Sequence, residues 1–143
     1  MSRRRGGGAA PYGAKWRAVT SMDGRAEDHF AVRQYRDGQA TVVEVSGCVD
    51  MITAPQLASQ LDLAVDHRPA ILVADLTSVT LLSSAAIETL IEVQRLSAAI
   101  GTSVRVVGRE HHTVRPIQVL GLDQTLPLYP TVSDALSEPL SAT

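Results

Sequence analysis

Residues 70–76, AILVADL, form an almost unbroken apolar run in the middle of the chain. A strand with one solvated face alternates apolar and polar residues, whereas an unbroken run is typical of a strand buried on both faces. The stretch that follows has a helical period: Ala86, Leu90 and Val93 fall on one stripe, and Glu88 lies on the opposite, solvated side. We therefore expect a central strand followed by an amphipathic helix, which is the repeating unit of a parallel α/β sheet.

The segments before this unit predict a β-hairpin and a first helix. Two β-prone runs, residues 30–35 and 40–45, flank a turn-forming Asp-Gly pair. Apolar residues then recur with a helical period over residues 57–65, and Thr53 is placed to act as the N-cap of that helix.

The segments after residue 101 predict further strands and helices. Residues 103–108 are typical of a short strand, and the short helix that follows is expected to break near Pro116. A last β-like piece precedes a brief helix, which Thr131 or Ser133 is expected to cap. The order β-β-α-β-α-β-α-β-α predicts the α/β class, with a small mixed β-sheet, an N-terminal hairpin and about four helices.

The composition limits the classes of function. The chain has 143 residues, of which 45% are hydrophobic and 3% aromatic; this suits one globular domain with an aliphatic core and disfavours nucleic-acid readout by base stacking. No apolar run reaches the roughly 18 residues of a membrane-spanning helix, and no secretory signal is evident, so we expect a cytoplasmic protein without membrane insertion. Cys48 is the single cysteine, and no Cys/His cluster predicts a metal or another cofactor.

Residues 1–27 predict a flexible basic tail. The first 21 residues contain five of the 13 basic residues and none of the 15 acidic ones, and they have no hydrophobic period. Because the net charge is −2, the patterned remainder is acidic. Met22 stands directly before the patterned part and is a second candidate for the translational start.

Three stretches between residues 30 and 138 resemble the STAS domain family, specifically the bacterial anti-sigma factor antagonists. The stretch VVEVSGCVDMITAPQLASQL is similar to the family's strand-Gly-x-x-Asp-x-x-Thr-Ala-helix segment, with matches at Gly47, Asp50, Thr53 and Ala54. The stretch ILVADLTSVTLLSSAAIETLIEVQRLSAAIG is similar to the family's Asp-Leu-Ser-x-Val-x-x-Asp-Ser-Ser-Gly loop and second helix, with matches at Asp75, Leu76, Thr77 and Val79. The stretches VRVVG and VLGLDQTLPLYPTVSDAL resemble the closing elements. Residues 28–143 are therefore assigned to a STAS domain.

The resemblance implies a protein that binds an anti-sigma factor, itself a serine kinase, and thereby frees a sigma factor. In the family the kinase phosphorylates a serine at the N-terminus of the second helix, and a serine phosphatase restores binding. Laid residue by residue on this chain, that serine is Ser84, with Ser83 as the fallback. The family's Asp-Ser-Ser-Gly is replaced by Ser83-Ser84-Ala85-Ala86, and Ser83, which stands in place of the aspartate, is the candidate N-cap.

The predicted partner-binding surface surrounds this serine. In the expected topology two aspartates lie at strand ends beside the same loop, where they either support the site or cap turns. A phosphate in this loop is expected to remove partner binding while the fold survives. The predicted set is Asp50, Thr53, Asp75, Leu81, Leu82, Ser83, Ser84, Ala85 and Ala86.

The same residues are compatible in type with other functions. Ser84 with His111 or His112 and an aspartate has the residue types of a hydrolase triad, but no Gly-x-Ser-x-Gly elbow is present, so no enzyme is expected. The two histidines as a metal pair lack a third ligand at suitable spacing. The alternative function is a STAS module that acts without phosphorylation, in a stress-signalling assembly or with a lipid transporter.

Overall fold

The computed structural model describes residues 17–19 and 29–140 of the chain. Within these ranges the strands are β1 (Arg17–Val19), β2 (Phe30–Asp37), β3 (Ala40–Val49), β4 (Ile71–Leu82), β5 (Ser103–Val107) and β6 (Leu128–Tyr129). The helices are α1 (Ala54–Asp66), α2 (Ser84–Ala99), α3 (His111–Val119) and α4 (Val132–Ser137), and a short 3-10 helix spans Leu122–Gln124.

The described strands form one sheet in which their spatial order, β1 to β6, is their order in the chain. β1, β2 and β3 pair antiparallel, and β3, β4, β5 and β6 pair parallel. Helices connect the parallel strands, as such crossovers require. The predicted α/β class and the N-terminal hairpin are confirmed, and the apolar run occupies a central strand because β4 lies between β3 and β5.

β1 is an edge strand that the sequence analysis did not predict. It pairs with β2 from Arg17 opposite Val32 to Val19 opposite Phe30, and it falls inside residues 1–27, which the sequence assigns to the tail. Three residues are too few for an alternating pattern to be recognised. The rest of the predicted tail, with Met22, lies outside the described residues.

β4 extends to Leu82, whereas the sequence predicted its end at residue 76. Residues 77–82 include three polar side chains that interrupt the apolar run, which is why the predicted strand stopped at residue 76. They continue the strand because β3 runs alongside and pairs with them, through register shifts in the region of Glu44 to Cys48. The partner strand satisfies backbone groups that the local sequence pattern cannot account for.

The two faces of the sheet are covered differently. On the first face α1 and α2 enclose the main apolar cluster, in which Leu57, Leu61, Leu76 and Leu90 are buried. On the second face α4 covers a smaller apolar cluster consisting of Ala40, Val42, Ile71, Val73, Val107 and Ala135. Burying one leucine side chain contributes ~1.5–3 kcal/mol, so the first face supplies most of the hydrophobic stabilisation.

Two helix details refine the sequence prediction. α3 continues through Pro116 to Val119 instead of breaking near the proline. The proline removes one backbone N–H, and the buried face of α3 keeps the helix packed on β4. Of the two predicted caps of α4, Thr131 is the one used: its Oγ1 accepts a hydrogen bond from the N–H of Asp134 at 3.0 Å.

Candidate functional site

The ends of β3 and β4 bring the first residues of α1 and α2 to the same end of the molecule. Val49 pairs with Leu82, and the N–H of Ser83 donates to the carbonyl oxygen of Val49 at 3.0 Å. Because parallel strands run in one direction, the turns that leave them lie side by side. Residues 50–54 and 81–86 are therefore neighbours, although about thirty positions of sequence separate them.

Ser83 is the N-cap of α2. Its backbone is extended, with φ −79° and ψ 169°, and its Oγ accepts a hydrogen bond from the N–H of Ala86 at 3.3 Å. Its carbonyl oxygen accepts the N–H of Ile87 at 3.1 Å, the first intrahelical bond. The prediction that Ser83 caps the helix is confirmed.

Ser84 is the first residue of α2, and its side chain is exposed. Ser83 supplies the capping oxygen, so the hydroxyl of Ser84 is not required to start the helix. An accessible hydroxyl on a well-fixed helix end is what a modifying enzyme or a binding partner needs. The structure thus gives the two serines separate environments.

The remaining predicted partner-binding residues of this segment divide between surface and core. Leu81 is 49% exposed and Ala85 is half-buried. Leu82 and Ala86 are 5% and 0% exposed and belong to the main apolar cluster. These two buried side chains hold the start of α2 against the sheet.

Asp50 organises the turn between β3 and α1. Its Oδ1 accepts hydrogen bonds from the N–H of Ile52 at 2.9 Å and the N–H of Thr53 at 3.0 Å. These bonds, above all the one from the Thr53 backbone, lower the pKa of Asp50 below its ordinary 3.8, while desolvation opposes the shift. The carboxylate is therefore a turn cap, one of the two roles expected for it.

Thr53 occupies the N-cap position of α1 but makes no capping hydrogen bond through its side chain. Its Oγ1 accepts from the N–H of Asp50 at 3.0 Å and donates to the carbonyl oxygen of Cys48 at 2.9 Å. The predicted N-cap residue is therefore confirmed by position, but its hydroxyl closes the turn back onto β3 instead of bonding to the helix.

Asp75 lies away from this end of the molecule, contrary to the expectation that both aspartates flank one loop. It sits within β4, paired with Glu44 and Val107, seven residues before the strand ends. At about 3.3 Å per residue, that places it roughly 20 Å from the end of the strand. The expectation failed because the sequence analysis ended β4 at residue 76.

The surroundings of Asp75 are a shallow cavity of about 300 Å³ that the sequence did not predict. Its lining includes the ion pair of Arg33 and Glu44, with Nε and Oε1 2.5 Å apart. Asp75 Oδ1 accepts from the N–H of Thr77 at 3.1 Å and from its Oγ1 at 2.8 Å, where the pairing of β4 with β3 shifts register between Asp75 and Ser78. Burial, followed by the charges of Glu44 and Asp75, raises the pKa of neighbouring Tyr35.

Met51 and Ile52 are functional candidates that the sequence analysis missed. Both are 76% exposed at the tip of the β3–α1 turn, beside the segment that carries Leu81 and Ser84. Two adjacent large apolar residues in a turn where polar residues are usual were the available signal.

The histidines are placed by α3. Nε2 of His112 lies 2.9 Å from the carbonyl oxygen of Val79, which ties the start of α3 to β4, and His111 is exposed. Within the part of the chain that the structure describes, no three His, Cys, Asp or Glu side chains are grouped so as to hold a metal ion. Across residues 17–19 and 29–140, no helix is long and apolar enough to cross a membrane.

Residues 31–135 match the model of a protein family described as the STAS domain. The chain belongs to the STAS domain family. The match includes both turns that meet beside Ser84, and it confirms the resemblance inferred from the three sequence stretches.

Two of the similar proteins come from mycobacteria. The STAS domain is 36% identical over 114 residues to the anti-sigma-F factor antagonist RsfB of Mycobacterium tuberculosis, a match that covers 78% of this chain and 91% of RsfB. A solved anti-sigma factor antagonist from Mycobacterium paratuberculosis is 35% identical with a TM-score of 0.74, covering 83% of this chain and 97% of that protein. Both relatives are thus named as anti-sigma factor antagonists.

A more distant structure shares the fold. The anti-sigma factor antagonist SpoIIAA in its unphosphorylated form superposes with a TM-score of 0.63 at 12% identity, covering 73% of this chain and 92% of SpoIIAA. At this identity the likeness concerns the arrangement of strands and helices alone.

Proposed function

We propose that this STAS domain is an anti-sigma factor antagonist: it binds a serine-kinase anti-sigma factor in the cytoplasm and so frees a sigma factor. RsfB, which is named an anti-sigma-F factor antagonist, matches over most of the chain, which supports the proposal. The structural observation that carries it is the exposed Ser84 hydroxyl at the start of α2, flanked by exposed apolar side chains. We call Met51, Ile52, Leu81 and Ser84 the Ser84 surface.

The Ser84 surface has the chemistry of a protein-binding patch. Three of its four side chains are apolar and between 49% and 76% exposed, so contact with a partner removes apolar area from water. The turn that presents Met51 and Ile52 is fixed by the Asp50 hydrogen bonds, and Ser83 fixes the start of α2. Such preorganisation lowers the entropic cost of association.

Phosphorylation of Ser84 would switch this surface without unfolding the domain. A phosphoryl group adds about −1.5 to −2 charge, and beside the first-turn N–H groups of α2 that charge is tolerated or favoured. In a complex, the same charge would be buried among Met51, Ile52 and Leu81 with a desolvation cost of several kcal/mol. Every ~1.4 kcal/mol lowers affinity tenfold, so the modified form would dissociate from its partner. A serine phosphatase would restore binding.

The decisive experiment measures binding of the purified full chain to the serine-kinase anti-sigma factors of its own organism by calorimetry. Ser84→Glu is expected to weaken binding by at least about tenfold, because it places a charge in the apolar surface. Ser133→Glu is the matched control, since Ser133 is also an exposed serine in the first turn of a helix, and it should bind normally. Unchanged affinity of Ser84→Glu would place the interface elsewhere.

Radioactive labelling tests the kinase step separately. Incubation with the anti-sigma factor and [γ-³²P]ATP should label the wild type and leave Ser84→Ala unlabelled; label that persists would move the site to Ser83. The replacement of the family's Asp-Ser-Ser-Gly by Ser83-Ser84-Ala85-Ala86 favours one alternative, a STAS module that binds without being phosphorylated. Binding of an anti-sigma factor without any labelling would establish that alternative. If a pull-down with the full chain recovered lipid-transport subunits instead, they would be the partner and the anti-sigma factor would not.

A further inference from the structure

The C-terminal helix α4 is attached to the second face of the sheet by few apolar contacts. It has six residues, and Ala135 is its single fully buried side chain, with Val132 and Leu136 partly buried. Isolated helices of this length are unstable in water, so α4 depends on what holds it in place. The apolar contacts alone are small beside those of α1 and α2.

A buried arginine from β5 supplies the main polar attachment of this segment. Arg105 is 3% exposed, and its Nη1 donates to the carbonyl oxygens of Ala135 and Glu138, both at 2.6 Å. Its Nη2 donates to the carbonyl oxygen of Pro139 at 3.3 Å. One guanidinium therefore binds three carbonyl groups at and beyond the C-terminal end of α4, where a cation is favoured by the helix dipole.

Carbonyl oxygens replace the usual carboxylate partner of a buried arginine. The ion pairs recorded among residues 17–19 and 29–140 join Arg33 to Glu44 and Arg95 to Glu92, and Arg105 belongs to neither. A buried cation without its hydrogen-bond partners is strongly disfavoured. Arg105 thus has a strong requirement for the carbonyl groups of residues 135–139, and those residues have few other contacts.

We propose that residues 132–140 form a strap latched by Arg105, which opens as a unit while the rest of the domain stays folded. Segments with few buried apolar contacts open at lower free energy than the core. Opening the strap exposes the apolar cluster beneath α4, including Val42, Val73 and Val107. The latch is the set of hydrogen bonds from Arg105, since little else fixes the strap.

Hydrogen exchange of the full chain tests the latch. Arg105→Met keeps an unbranched apolar chain but removes the donors, so amides of residues 132–138 should exchange at least about tenfold faster, while those of α1 and α2 keep their rates within about twofold. Arg105→Lys, which keeps one charged donor group, should lie between. Arg36→Met is the matched control: Arg36 also donates to a backbone carbonyl, that of Gly38 at 3.3 Å, but it is exposed.

The wild type gives a test that does not depend on a variant folding. The N–H of Ala135 is bonded to the Thr131 carbonyl oxygen at 3.0 Å. It should exchange through a local opening whose free energy hardly depends on denaturant concentration, whereas β4 amides should exchange only through global unfolding, whose free energy falls as denaturant rises. The proposal is overturned if Ala135 and β4 show the same denaturant dependence. It is equally overturned if Arg105→Met folds and leaves exchange of the strap unchanged, or accelerates all elements alike.

Discussion

Gly47 has a φ of +87°, a left-handed conformation that side-chain-bearing residues rarely adopt. A Cβ atom at this position would lie 1.7 Å from the carbonyl oxygen of His29, which precedes β2. The glycine sits at a register shift in the pairing of β3 with β4, three residues before Asp50. Its place in the sequence motif is therefore explained by the close approach of two backbone segments.

Gly47→Ala is expected to destabilise the domain by at least ~2 kcal/mol, because left-handed strain adds to a clash with backbone that cannot move aside easily. Gly38→Ala is the control, since Gly38 also has a positive φ, +63°, but open space where the Cβ would be. Urea unfolding of both variants separates strain from clash. Equal losses of stability would show that the approach of His29 does not matter.

Substitutions at the neighbouring Ser83 and Ser84 should differ in their effect on the stability of the domain, because the two side chains have different environments. Ser83→Ala is expected to cost ~1 kcal/mol through the lost cap, while Ser83→Asp, which keeps a capping oxygen, should cost little. Ser84→Ala should change the unfolding free energy by less than about 0.5 kcal/mol because its side chain is exposed. Thermal and urea denaturation decide this, and a larger loss at Ser84 than at Ser83 would reverse the assignment of the cap.

At the scale of elements, the Asp50 carboxylate is one of the two side chains that hold the β3–α1 turn, the other being Thr53. Asp50 accepts two backbone N–H groups, and the depressed pKa records that the charged form is the one these bonds favour. A group whose pKa is lower in the folded state than in the unfolded state stabilises the fold above the unfolded pKa. That contribution is lost as the pH falls through the folded pKa.

Asp50→Ala is expected to cost ~1 kcal/mol at neutral pH, the usual effect of losing an aspartate cap. Because the pKa of Asp50 in the folded state lies below 3.8, the difference in unfolding free energy between the variant and the wild type should shrink as the pH falls below about 4. The control is Asp62→Ala, an exposed aspartate on α1. Urea unfolding at neutral pH and near pH 3 measures the difference, and a gap that is independent of pH would contradict the role of the charge.

At the scale of the whole molecule, the parallel pairing of β3 and β4 decides which residues form one common surface. It places the Ser84 surface at one end, whereas the cavity beside Asp75 and the strap lie on the second face of the sheet. A partner that docks at the Ser84 end therefore has no need to contact either of them. Binding and the movement of the strap are then separate properties of the domain.

The double variant Met51→Ser, Ile52→Ser should weaken anti-sigma factor binding by at least about tenfold, since two large apolar contacts are lost from the interface. Its unfolding free energy should change by less than about 0.5 kcal/mol, because both side chains are exposed. Leu63→Ser is the control: Leu63 is 51% exposed, on α1, outside the Ser84 surface. Calorimetric titration measures the binding, and wild-type affinity of the double variant would exclude the turn from the interface.

The sequence by itself determined the fold class and the order of the main elements, and the family resemblance selected Ser83 over Ser84 as the cap. Apolar periodicity and capping residues are local signals, so the buried run in β4 and the stripe on α2 were readable without a structure. The resemblance to the STAS family rested on the same local stretches and was confirmed. Ser84 was selected by that resemblance, and its role as the phosphorylated residue stays a prediction.

Only the tertiary structure decided where β4 ends and that Asp75 lies far from Ser84. It also decided that Met51 and Ile52 lie beside Ser84. Each of these depends on pairing between strands, because a neighbouring strand can satisfy backbone groups in a polar stretch that has no apolar pattern of its own. The strand β1 and the bonds from Arg105 to the C-terminal carbonyl groups are of the same kind. They join residues distant in sequence, and no local pattern records such contacts.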